Sequence, residues 1–255
     1  MKSALSKREV VADLTGRLKQ LKPRERQIVE TLSTGLSELD NFVGGVPRGC
    51  ITEIAGPQSS GRTSFMLSTL SEATNNDESC ALVDTNNSLD IISASQSGIE
   101  LEKLLWIRCS GNVEHAFKSV DILLQGGGFG LIALDLGDVP VSYTSRIISS
   151  WWYRFRHTIE DTPTALMVIV QRSCARSAAS MLLELNQAHS NWTSTSDILN
   201  QKPSQTHAVS NLLCSTRLYV QRLKPMSLSA QGAGFAARAS YSDRQLRPVT
   251  GNLKP

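Results

Sequence analysis

Short apolar runs bounded by polar turns alternate along most of the chain with stretches in which apolar residues return every three or four positions. The runs predict strands at Ile51–Ala55, Cys80–Val83, Leu104–Ile107, Leu131–Asp135, Ala165–Gln171 and Thr216–Gln221. The periodic stretches predict helices near 62–73, 88–95, 113–124 and 143–159. Ala165-Leu-Met-Val-Ile-Val170 is apolar throughout instead of alternating, as a strand buried on both faces must be. Strands of that kind separated by helices predict an α/β fold with a mostly parallel twisted sheet between helices.

The two ends of the chain have a different texture. Val10, Val11, Leu14, Leu18 and Leu21 form one helical stripe, and Pro23 ends it and opens a second short helix to about Thr31. Such a stripe either packs on its own core or docks on a neighbouring subunit or partner. Residues 186–210 are rich in Ser, Thr, Asn and Gln, and 226–255 are also polar, with Arg238, Arg244, Arg247 and Lys254. A polar run of that length reads as a functional loop or as local disorder, and the Gln231–Gly234 turn suits one last hairpin. The expected division is a basic helical arm at 1–32, a core at 33–225, and a C-terminal hairpin or flexible basic tail at 226–255.

Composition narrows the class. With 255 residues, 40% of them hydrophobic, the chain can bury a sizeable core. A net charge of +3 does not by itself mark a nucleic-acid binder, although the positive excess is concentrated in residues 1–30. Five scattered cysteines without a CxxC pair argue against a disulfide framework or structural zinc. The longest apolar run is far short of the ~20 residues that span a bilayer. A soluble cytoplasmic protein with no membrane partner is expected. His115, His157, His189 and His207 lack metal-ligand spacing, and Gly126-Gly-Gly128 reads as a helix cap and turn. On the helix near 143–159, Ile147, Ile148, Trp151, Trp152 and Phe155 form a broad stripe flanked by Arg146, Arg154 and Arg156. It is either a core face with a solvated basic flank or a surface for a partner or nucleic acid.

The candidate chemistry centres on Gly56-Pro-Gln-Ser59-Ser60-Gly61-Arg62-Thr63-Ser64, directly after one strand and directly before a helix. Glycines let backbone N–H groups curl around phosphates, the helix start adds its dipole, and the Thr63 hydroxyl suits Mg²⁺. Arg62 stands where such loops carry lysine; it keeps the charge but replaces a slim ammonium with a planar fork. Asp135 ends the apolar strand Leu131–Asp135, the place for a carboxylate that holds Mg²⁺ through water. ATP and Mg²⁺ are the implied cofactors, with Gly56, Ser59, Ser60, Gly61, Arg62, Thr63, Ser64 and Asp135 around them. A strand–helix turn that binds no nucleotide is the plainer alternative.

Ser33-Thr-Gly-Leu-Ser-Glu-Leu-Asp40, Gly44-Gly-Val-Pro-Arg-Gly49, Ile51-Thr-Glu-Ile54 and the loop at 56–63 together resemble the RecA family in order and spacing. Cys80-Ala-Leu-Val-Asp84 with Leu89-Asp90, Leu104–Arg108, Val168–Gln171 and Ser215–Arg222 continue the resemblance. It implies a RecA-like P-loop NTPase core. In that family a glutamate two residues after the strand-ending aspartate polarises water; here the position is Asn86, which cannot act as a base. The segment after Gln171, which in RecA orders over single-stranded DNA, reads as longer and poor in glycine. The sequence also ends where RecA continues into a C-terminal domain.

A RecA-like core with these departures is similar to the ImuA type, with Leu104–Arg108 and Leu134-Asp-Leu-Gly-Asp138 closest to it. That resemblance implies an accessory role in SOS-induced translesion synthesis and DNA repair. The implied partners are RecA, a mutasome pseudo-polymerase and an error-prone polymerase. Weak non-specific DNA contact would involve the loop at 186–210, Gln171, Arg172, Arg176 and the C-terminal arginines, and docking or self-association would involve Leu14 and Leu18. Two other readings stay open: an active ATP-dependent recombinase on single-stranded DNA, and a nucleotide-binding regulatory module.

Overall fold

The computed structural model describes the backbone of residues 30–192, 213–224, 232–240 and 247–249, and the side chains of 30–186 and 219–224. The stripe with Leu14 and Leu18 and the run 193–212 lie outside the described residues.

Nine strands form one sheet: β3 (Ile51–Ala55), β4 (Cys80–Asp84), β5 (Leu104–Arg108), β6 (Leu131–Asp135), β7 (Ala165–Val170), β8 (Met181–Trp192), β9 (Leu213–Lys224), β10 (Gly232–Ser240) and β11 (Arg247–Val249). Their spatial order is β11-β10-β9-β8-β3-β7-β6-β4-β5. From β5 to β8 every pairing is parallel, and beyond β8 the sheet continues as an antiparallel meander. β1 (Thr31–Leu32) and β2 (Val46–Pro47) form a separate small ladder.

The parallel half is sealed on both faces. One core holds Phe65, Met66 and Leu70 of α2 (Arg62–Asn75) with Leu39 and Val43 of α1 (Ser37–Val43). The other is aromatic: Phe117 of α4 (Val113–Gly126) meets Trp152 edge-on at 4.9 Å and stacks on Phe155 at 5.5 Å. Trp152 and Phe155 belong to α6 (Ser149–Ile159). This double burial explains why β7 is apolar throughout and β4 is apolar up to Asp84, whereas edge strand β5 is only partly buried.

Several boundaries depart from the sequence expectations for local reasons. Thr31 does not end a helix but opens β1, pairing with Pro47. The helix expected from 88 starts at Ile91 as α3 (Ile91–Gln96), because the Asp90 carboxylate caps it by accepting from Ser93 N at 2.9 Å. The helix expected from 143 is split: α5 (Val141–Thr144) is one turn, Ile148 is extended, and α6 begins at Ser149. Thr and Ile are stiff at the first side-chain torsion and Ser competes for backbone bonds, so Thr144–Ser149 is a weak place to continue a helix. Ile148 is consequently exposed instead of sharing the Trp152 stripe. Arg154 pairs with Asp121 and lies over Trp151 at 5.5 Å, which assigns that side of α6 to intramolecular packing.

The largest correction concerns the segment after Gln171. Strand β8 begins at Met181 and runs to Trp192, so the connection is only 172–180, and the start of the polar stretch at 186 lies in a strand. Pairing with β9 satisfies that backbone whatever the polarity of its side chains. β9 extends beyond the expected 216–221 at both ends.

Candidate functional site

Sheet register assembles the site. Ala55 lies beside Val170, Ile169 beside Asp135, and Asp135 beside Asp84. The ends of β3, β7, β6 and β4 therefore form one row, and the loops leaving them share one rim. Gly56–Gly61 leaves β3 there and feeds α2.

The loop is built around two glycines. At Gly56 an added Cβ would come within 2.3 Å of the Leu185 carbonyl and 2.6 Å of Ser60 Oγ, so the backbone approach allows no side chain. Gly61 has φ 87°, a left-handed value that starts α2, and Ser59 adopts φ 61°. Ser60 is buried, and its Oγ has no hydrogen-bond partner among the described residues. Thr63 and Ser64 are exposed on the first turn of α2. An orphaned hydroxyl beneath a cradle of turned backbone, with a free threonine at its lip, fits a phosphate and its Mg²⁺.

Arg62 does not complete that cradle. Its side chain is buried, and Nη1 and Nη2 both donate to the Gly137 carbonyl at 3.4 Å, a long forked contact. Burial pulls the guanidinium pKa below its ordinary value, while Asp135 and Asp138 act against that shift. Gln171 Nε2 donates to the same Gly137 oxygen at 3.1 Å. Asp135 Oδ1 accepts from Gly137 N at 2.7 Å. Burial pushes the Asp135 carboxyl up to about 6, the Gly137 N–H and Arg62 oppose this, and Asp84 and Asp138 reinforce it. The loop, Thr63 and Asp135 thus suit ATP and Mg²⁺, whereas the cation is turned towards the opposite wall.

The loop after β4 is equally distinct. Asp84 is buried and accepts from Ser88 N at 3.0 Å, Leu89 N at 2.9 Å and Trp106 Nε1 at 3.2 Å. It orders the loop that carries Asn86, whose side chain is exposed at the rim. An amide there accepts no proton at neutral pH.

Sequence reasoning overlooked Glu53 and Gly137. Glu53 is fully buried in β3 and accepts from Ser173 Oγ at 2.6 Å, Cys174 N at 2.5 Å and Ala175 N at 3.1 Å. It pins the connection 172–180 against the sheet; Arg172 and Arg176 remain exposed, and Lys224 donates to the Arg176 carbonyl. A lone acid inside Ile51-Thr-Glu-Ile54 was the available signal, since a buried carboxylate requires donors. Among the described residues no cluster of three or more His, Cys, Asp and Glu could hold a metal, and no helix is long and apolar enough to cross a membrane.

Strand, glycine turn and helix, with a carboxylate ending the second strand over, define an α/β protein of the phosphate-loop class. The sequence profile of the RecA N-terminal domain matches residues 2–171. The chain belongs to the RecA family. It is 34% identical to Protein RecA of Ectopseudomonas oleovorans over 161 residues, covering 56% of this chain and 45% of that one. Against Protein RecA of Desulforapulum autotrophicum the identity is 32% over 172 residues, covering 61% and 49% respectively. The chain thus spans about half the length of the curated relatives it matches. The crystal structure of the RadB recombinase has a similar fold, with a TM-score of 0.57 at 16% identity, covering 86% of this chain and 100% of that one.

Proposed function

We propose that this chain is a RecA-family accessory protein of ImuA type, acting in damage-induced translesion synthesis through protein contacts, with an ATP site too altered for efficient turnover. The observation that carries the reading is Arg62, the loop's cation, held on the Gly137 carbonyl across the rim. Asn86 at the base position supports it, because general-base action contributes roughly 10²–10⁴-fold. ATP bound here would supply a polyphosphate anchored on the loop, with Thr63 and Asp135 holding Mg²⁺. The chain's residues then fix the loop's shape but offer no proton acceptor at position 86. DNA contact through Arg172 and Arg176 is weak and salt-sensitive, since few cations face out from a short, pinned connection. RecA, a pseudo-polymerase and an error-prone polymerase are the proposed partners, with Leu14 and Leu18 on a docking arm.

The test is ATP turnover with and without single-stranded DNA. Background-level hydrolysis in both conditions is expected. DNA-stimulated hydrolysis that Thr63→Ala abolishes would replace this reading with that of an active recombinase.

A further inference from the structure

Three elements meet at one oxygen. Arg62 comes from the first turn of α2, Gln171 from the end of β7, and Gly137 from the turn after β6. A carbonyl oxygen has two lone pairs, and here the guanidinium fork and the Gln171 amide share them. The carbonyl is fully engaged, and Gly137 itself is buried. Withdrawing Arg62 would leave a desolvated acceptor half satisfied, a penalty larger than the net stabilisation of the hydrogen bond itself. The negative charges of Asp135 and Asp138 favour the guanidinium on this side of the rim. The turn is itself tied down by Gly137 N on Asp135 Oδ1 at 2.7 Å and by Leu136 N on Ile169 O at 2.9 Å.

Gln171 leads directly into the connection that Glu53 pins at Ser173, Cys174 and Ala175. Whatever sets the Gly137 oxygen therefore also sets where the arginine-bearing connection begins. A cation drawn onto phosphate would leave this oxygen to Gln171 alone. Here the cation sits on the Gly137 carbonyl instead.

We propose that Arg62 is an internal latch: it holds the Gly137 carbonyl, and through it Gln171, in one position whether or not a nucleotide is bound. The inference rests on the altered ATP site proposed above, and its consequence is a surface at 172–176 uncoupled from nucleotide state.

Hydrogen–deuterium exchange on the full chain tests it, comparing wild type, Arg62→Met, Gln171→Leu and the double variant without nucleotide. The probes are the amides of Leu136, Gly137 and Val139, whose acceptors are Ile169 O, Asp135 Oδ1 and Leu136 O. Each single variant should speed exchange about tenfold. The double variant should fall well short of the product of the singles, because both act on one oxygen. Unchanged exchange in Arg62→Met, or strictly multiplicative effects, would overturn the latch. Should Arg62→Met not fold, Gln171→Leu decides alone, with unchanged exchange overturning the proposal. Mg·ATP added to wild type should leave these amides as they were; faster exchange would mean that Arg62 leaves for phosphate and would also overturn it. Turnover on the same samples separates the two readings. Hydrolysis with an intact latch removes the altered-site reading alone, and latch loss without hydrolysis removes the latch alone.

Discussion

The two sides of the rim contrast sharply. On the β3–α2 side, the cradle keeps the backbone shape of a phosphate loop: an approach at Gly56 too close for a side chain, a left-handed Gly61, a Ser60 hydroxyl without a partner among the described residues and an exposed Thr63. On the β6–β7 side, the Gly137 carbonyl accepts from Gln171 and also from Arg62, the cation that the loop carries. The difference teaches that cradle shape and cradle charge are separable. Backbone geometry can persist on packing alone, while the loop's one cation is held on a carbonyl across the rim.

The floor beneath both sides should be the most sensitive. Glu53→Ala removes the acceptor of three hydrogen bonds between β3 and the 172–180 connection and leaves two backbone N–H donors unmatched. A loss of about 4 kcal/mol in denaturant unfolding is expected. A loss below about 1 kcal/mol would mean the 172–180 connection is not pinned as described.

Asp135→Asn sharpens the wall side through its pH dependence. Burial raises the folded carboxyl from 3.8 to about 6, so the native state binds the extra proton between those values. The contribution of Asp135 to stability is most favourable below pH 4, declines as pH rises to about 6, and is level above that. The asparagine variant should lack this decline and exceed wild type above pH 6 by on the order of 2 kcal/mol. Parallel pH profiles for the two proteins would show that Asp135 does not carry this strain.

Gly56→Ala probes the cradle. Its methyl would meet the Leu185 carbonyl, and melting should fall by roughly 2 kcal/mol of stability. No change would mean the loop's close approach is dispensable. The smallest effect belongs to a site remote from the rim: Asp90→Ala removes a helix cap and should cost about 1 kcal/mol. A larger loss would give α3 a role in the site that its capping alone does not explain.

Much of this architecture is legible in the residues because it rests on short-range rules. An uninterrupted apolar run such as Ala165–Val170 has one stable home, between two layers of helix. Gly56 and Gly61 flank a loop that joins a strand to a helix, so the cradle can be read directly. The wall was not legible, because Arg62, Gly137 and Gln171 are far apart in sequence and meet only through the β3-β7-β6 order. Strand β8 was hidden for a different reason. Its second half is polar, and only its pairing with β9 makes it a strand. Asn86 came only from the family resemblance, counted from Asp84, whereas the Asp84 network that positions its loop required Trp106 from the neighbouring strand.

The most direct test of the central claim compares single-turnover ATP hydrolysis in wild type with an Arg62→Lys, Asn86→Glu double variant, each with Mg²⁺ and single-stranded DNA. Lysine restores a slim cation to the cradle and glutamate restores a proton acceptor at its rim. The account predicts negligible hydrolysis by wild type and a gain of at least about 10²-fold in the double variant. Brisk DNA-stimulated hydrolysis by wild type, unimproved by the two substitutions, would contradict it.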